Sequence, residues 1–214
     1  MPTKTNEREY RRFQANDLEL RTGENNDMTV EGYATTFDQE YPLWDIGEYA
    51  VFESIDRHAF DDTDMSDTIM QYDHEGRVFA RIKNGTLKLT ADEHGLKIRA
   101  DLGGTELGRQ LYEEIKGGYT DKMSFGFTVS KDERTEEHLE NNRTVIHRKI
   151  TGIKKLYDVS AVSLPANDAT EISARSCGEG FIEAARMEHE AIMERQRKIQ
   201  KIKILMEVSN HEND

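Results

Sequence analysis

The stretch from Lys122 to Val129 alternates without a break: Met123, Phe125, Phe127 and Val129 recur at period two, with Ser124, Gly126 and Thr128 between them. Regular alternation of this kind is the mark of a β-strand, which sends successive side chains to opposite faces. The fold must therefore contain a sheet that buries one of those faces. The apolar set goes inward. Ser124 is then a hydroxyl held on rigid backbone on the other face, beside a glycine that keeps its approach clear.

The elements around this strand follow from local signals. Residues from about Met28 to Pro165 read as short strands with one clear helix, the pattern of a β-rich α+β domain. Val78 to Lys83, Thr86 to Thr90 and Leu96 to Ala100 are strand candidates, and Asn84-Gly85 between the first two is a hairpin signal; together they predict a meander. Leu107, Leu111 and Ile115 stand at four-residue steps, with Thr105 placed to cap the start and Gly117-Gly118 placed to end the run, which predicts a helix over 105–116 feeding directly into the Ser124 strand. Arg143 to Ile150 and Ile153 to Leu164 read as two further strands around Thr151-Gly152. Asp132 to Asn142, dense in Glu and Asn, reads as a solvated loop.

Beyond Asn167 the character changes. Asn167-Asp168-Ala169-Thr170 can cap a short helix through Ala174, and Ser176-Cys177-Gly178-Glu179-Gly180 reads as a link. Phe181 to Val208 lacks proline and glycine and is rich in Glu, Arg, Lys, Ile and Met, which predicts a long charged helix. Ile192, Ile199 and Met206 are seven apart, but Arg195 and Gln196 occupy the second seam, so no coiled coil is expected. The expected division is a flexible N-terminal arm over 1–27, a domain over 28–175, and a linker and charged helix over 176–214.

With 214 residues the chain has room for one domain with a real core and an appended tail. A formal net charge of −13 argues against a surface that tracks nucleic-acid phosphates, and favours a protein partner. No stretch approaches the roughly 20 apolar residues needed to span a bilayer, and the N-terminus has no apolar targeting core, so the expectation is a cytoplasmic protein with no membrane partner. The single cysteine, Cys177, excludes an internal disulfide and reads as an incidental thiol.

Two residues give Ser124 chemical company. His74 lies in a polar turn, Tyr72-Asp73-His74-Glu75, and Asp158 lies inside a β-pattern, Leu156-Tyr157-Asp158-Val159-Ser160, where a carboxylate has to be paired or exposed. A nucleophilic serine needs a base to take its proton and a third group to orient that base. Each of these residues has a plain alternative as a solvated surface side chain. Other chemistries are absent: His74-Glu75 opens like a zinc-protease motif, but Val78 stands where the second histidine belongs. Lys122 replaces the first glycine of a nucleophile elbow, and there is no phosphate-binding loop, dinucleotide fingerprint or Cys/His metal cluster. Neither a cofactor nor a metal is expected.

Gly32-Tyr33-Ala34, the Glu53 to Phe60 segment ending in His58-Ala59-Phe60, Tyr72-Asp73-His74, Met123-Ser124-Phe125-Gly126-Phe127, Asp158-Val159-Ser160 and Pro165-Ala166-Asn167 occur in an order that resembles the prohead proteases of HK97-type tailed phages. The match covers roughly Met28 to Arg175. The resemblance implies an assemblin-like β-barrel surrounded by helices and a serine endopeptidase acting inside the immature capsid in the host cytoplasm. It further implies that the enzyme cuts the scaffolding segment from the major capsid protein and then cleaves itself, with dimerisation as a possibility. Carried over by position, Ser124 is the nucleophile, His74 the general base and Asp158 the residue that orients His74. The family usually has Glu where this chain has Asp158, and commonly Gly-Ala-Phe where it has His58-Ala59-Phe60. Herpesvirus relatives use a second histidine, which keeps His94 and His147 as alternatives for the third position. The competing reading is an inactive scaffold or assembly protein on the same fold. On either reading the charged tail is open to two roles, binding the scaffold or the capsid protein's own helical arm and so recruiting the chain during assembly, or merely extending the chain as a solvated helix.

Overall fold

The computed structural model describes residues 8–14, 19–22, 28–45, 47–139, 143–162, 182–188, 190–195 and 197–201. Among them the strands pair into two sheets. The larger contains β1 (Glu9–Gln14), β4 (Tyr41–Asp45), β5 (Tyr49–Ile55), β6 (Ile69–Tyr72), β7 (Glu75–Arg81), β10 (Lys122–His138) and β11 (Thr144–Val162). Its main path runs β1-β10-β11-β5-β4, with β6 also on β11 and β7 on β6. The smaller has the order β2-β3-β9-β8, from β2 (Glu19–Thr22), β3 (Met28–Thr36), β8 (Leu87–Ala91) and β9 (Gly95–Asp101). The β-rich character follows the expectation; the described strands do not close into a barrel.

The alternating face of β10 behaves as its pattern requires: Met123, Phe125, Phe127 and Val129 are buried in the main core with Phe60, Met70, Leu96, Ile98 and Leu156. Phe125 and Phe127 stack at 4.6 Å between ring centroids. Helix α1 (Glu106–Lys116) also forms where the four-residue spacing puts it. Thr105 Oγ1 accepts from the Gly108 N–H at 3.0 Å, Gly117 closes the last turn, and Leu111, Tyr112 and Ile115 are buried while Leu107 faces outward.

Several elements differ from the sequence expectation for identifiable reasons. Asp132 to His138 is not a loop; β10 runs on through it, paired residue by residue with β11 down to His138 opposite Thr144. Its acidic residues suit a ribbon exposed to solvent, where Glu133 stands opposite Lys149 and Asp132 bonds to Arg148 at 2.7 Å. Thr151-Gly152 does not separate two strands either. β11 is continuous for 19 residues, and register shifts near Lys131 and Gly152 absorb the irregularity as bulges.

The meander is also redistributed. A two-residue type I′ turn at Asn84-Gly85 would need positive φ at both positions, and only Gly85 has it, at 77°. Ile82–Asn84 is instead a 3-10 turn that carries the chain from β7 in one sheet to β8 in the other. The N-terminal region assigned to an arm contains β1, antiparallel to β10 over Glu9–Gln14, and β2, antiparallel to β3.

The chain is helical again at 182–188, 190–195 and 197–201. Ile182 and Ala185 join Val51 and Ile146 in a second small core, flanked by Leu43, Trp44 and Tyr49. The expected short helix after Asn167, the link around Cys177 and the Pro165-Ala166-Asn167 motif lie outside the described residues.

Candidate active site

Three neighbouring strands bring the expected residues together. Ser124 lies on β10 opposite Ser160 of β11, and two residues on Gly126 lies opposite Asp158. β11 pairs on its other side, in parallel, with β6, which ends at Tyr72 opposite Ala161. Tyr72 pairs with Glu75 across the start of β7, leaving Asp73 and His74 as a two-residue hairpin turn. Both have positive φ, 48° and 61°, the backbone a tight I′ hairpin demands. Asp and His tolerate that region better than most residues, and the turn swings the imidazole back over the sheet.

His74 Nε2 is 2.5 Å from Ser124 Oγ, and His74 Nδ1 is 2.5 Å from Asp158 Oδ1. Ser160 Oγ donates to the same Oδ1 at 2.7 Å, and Arg8 forms an ion pair with Oδ2. Burial alone would push the Asp158 carboxyl upward; the bonds from His74 and Ser160 and the charge of Arg8 outweigh it and hold the group below the ordinary carboxylate range. An ionised Asp158 accepting from Nδ1–H leaves Nε2 as the basic nitrogen facing the hydroxyl. The arrangement can therefore deprotonate Ser124 and return the proton elsewhere.

His94 and His147 lie elsewhere. His94 sits in the β8–β9 turn against the ring of Tyr33, and His147 bonds to Glu40 at 2.8 Å on the distal half of β11, in register with Thr135. Among the described residues no cluster of His, Cys, Asp or Glu could hold a metal ion, and no helix is long and apolar enough to cross a membrane.

Sequence reasoning overlooked the residues that cover this site. Ser124 and Asp158 are 0% exposed and the His74 side chain 6%. Tyr10 meets His74 edge-on at 4.5 Å between ring centroids, and the Arg8 guanidinium lies over Tyr10 and Tyr157. On the opposite face of β1, Arg11 enters a buried charge network: it pairs with Glu53, which also bonds Arg148 at 2.7 Å and Tyr41 at 2.5 Å, while Glu9 bonds Arg148 at 2.8 Å. Burial would raise the Glu53 carboxyl, but Arg11, Arg148 and Tyr41 bring it down from 4.5 to about 2. The signal was present in Arg8-Glu9-Tyr10-Arg11, which sends Arg8 and Tyr10 one way and Glu9 and Arg11 the other, but its polar residues do not announce a buried strand.

A sheet-borne serine, a histidine bonded to it and a carboxylate behind the histidine define a hydrolase-like constellation. The profile of the Caudovirus prohead serine protease family matches residues 16–182, and the chain belongs to that family of capsid-maturation serine proteases. Comparison with curated proteins and with solved structures gave no significant match.

Proposed function

We propose that this chain is the endopeptidase of prohead maturation, cutting the scaffolding segment of the major capsid protein and then itself within the immature capsid, with Ser124, His74 and Asp158 as its catalytic residues. The observation that carries the reading is the pair of hydrogen bonds made by one imidazole, with Ser124 at Nε2 and with Asp158 at Nδ1, in a chain of this family.

In this reading each residue has a distinct role. Ser124 Oγ attacks the scissile carbonyl carbon as His74 Nε2 takes its proton, forming a tetrahedral intermediate. Collapse breaks the peptide C–N bond, and the proton passes from His74 to the departing amine. Water then attacks the Ser124 ester, giving a proton to His74, and the second intermediate expels Ser124, which recovers that proton. Asp158 keeps Nδ1–H in place and stabilises the imidazolium in both halves. Ser160 holds the carboxylate in turn.

The test is covalent labelling with diisopropyl fluorophosphate followed by mass mapping of the adduct. The native chain is expected to carry it on Ser124 after prolonged incubation. His74→Ala should lower the labelling rate by roughly 10³-fold or more, since the residues act as a unit. Absence of a Ser124 adduct, or a rate indifferent to His74→Ala, would contradict the reading.

A further inference from the structure

The reading of Ser124 as a nucleophile raises a question of access, because the groups that would meet a peptide are covered by the protein's own strand β1. β1 lies antiparallel along the edge of β10, with Arg12 opposite Ser124. The carbonyl beside the hydroxyl is that of Arg11, which accepts from Ser124 Oγ at 2.8 Å. A serine hydroxyl has one proton, so one given to Arg11 cannot at the same time be offered to His74. Tyr10 and Arg8 cover His74 and Asp158. β1 also precedes residues 16–182, the part of the chain that matches the family.

These observations describe a peptide in a substrate's place. An extended peptide adds to a sheet edge through its backbone and gains selectivity from the pockets that receive alternate side chains. Here the backbone partner is β10, and the alternate side chains entering the sheet's other face are Glu9 and Arg11. Arg11 is 2% exposed, against Glu53 and over the ring of Phe127; Glu9 meets Arg148. Glu53 keeps Arg148 and Tyr41 as partners when β1 leaves, so the cradle is supplied by the rest of the chain and can receive another arginine.

Resting on the protease reading, we propose that the outer edge of β10 is the enzyme's peptide-binding strand and that β1 occupies it as a pseudosubstrate. Glu53 then selects an arginine at the position held by Arg11, whose carbonyl marks the bond to be cut, and Arg148 favours an acidic residue two positions before it. Capsid-protein segments of that chemistry displace β1 and take its register.

The experiment compares the full chain with a variant carrying Glu9→Ala and Arg11→Ala, which loosens β1 by removing the two side chains that anchor it to Glu53 and Arg148 and changes no side chain that touches Ser124, His74 or Asp158. Rates of Ser124 labelling by diisopropyl fluorophosphate are measured for both, with and without an added peptide of the sequence of residues 9–14. Because the apparent rate scales with the fraction of molecules whose site is open, the loosened variant is expected to label about ten-fold faster or more, and the added peptide to slow it again. The same variant is then given two fluorogenic peptides, one with Glu-Tyr-Arg and one with Glu-Tyr-Ala before the scissile bond. Preference for the arginine peptide, reduced in the further variant Glu53→Gln, is the expected result. Equal labelling rates in native and loosened chains, or equal cleavage of the two peptides, would overturn the proposal while leaving Ser124 reactive. No Ser124 adduct in either chain would instead remove the protease reading beneath it.

Discussion

At Gly126 a Cβ atom would fall 2.5 Å from Asp158 Oδ2 and 2.9 Å from the Arg8 guanidinium. The first contact is too close for any real Cβ, and Asp158 is already fixed by His74 and Ser160, so the carboxylate would have to give way. Gly126→Ala is therefore expected to disturb the Nδ1 bond of His74 while leaving Ser124 in place. Orientation errors of about an ångström commonly cost on the order of 10²-fold in rate. Steady-state kinetics on a peptide should show the loss in kcat, with circular dichroism reporting an intact sheet. A glycine beside the serine is visible in the sequence; the carboxylate it makes room for is not, because Gly126 and Asp158 become neighbours only through strand pairing.

The strand β1 is held by charge as well as by its backbone. Glu53 binds protons more weakly in the folded chain, at about 2, than at its ordinary 4.5. A carboxyl with a depressed folded value contributes stability above its ordinary range, and that contribution is lost as pH falls from about 4.5 toward 2. Urea unfolding followed between pH 6 and pH 2 should show stability falling over this window. Glu53→Gln should lower stability at neutral pH by about 3 kcal/mol, since Arg11 and Arg148 lose the fully buried carboxylate they share. It should also flatten the acid part of the curve; a variant as stable as the native chain with the same pH slope would contradict this role.

Legibility at this scale tracked how local the signal was. Helix α1 was readable because its cap at Thr105, its spacing and its glycine stop all lie within its own residues. The Ser124 strand was readable because one face is wholly apolar. The far half of β10 was not, because its charged residues resemble a loop and only pairing with β11 makes them a strand. β1 was hidden for the same reason, its inward face being Glu9 and Arg11 rather than a run of apolar residues. The His74 turn was half-legible: the polar Asp73-His74 pair announced a turn, while its position over β10 depends on β6 pairing in parallel with β11.

For the molecule as a whole, β11 serves as the spine. Its first half pairs in parallel with β5 and its second with β6, while β10 runs along its other edge. The site sits at the β6 end, and the second small core, where Ile182 and Ala185 meet Val51 and Ile146, lies against the β5 end. Ile182 is 4% exposed, so Ile182→Ala should cost on the order of 2–4 kcal/mol in chemical denaturation. Because that core is remote in register from Ser124, the kinetics of the folded fraction should be unchanged. A neutral effect on stability would mean that the helix contributes nothing to the folded body.

Co-expression with the major capsid protein, followed by its intact mass, tests the proposed function most directly. With the native chain the capsid protein should appear shortened by its scaffolding segment, and with Ser124→Ala, His74→Ala or Asp158→Asn it should stay full-length or nearly so. A capsid protein of unchanged mass beside the native chain, or one cut equally well by the Ser124→Ala chain, would contradict the account.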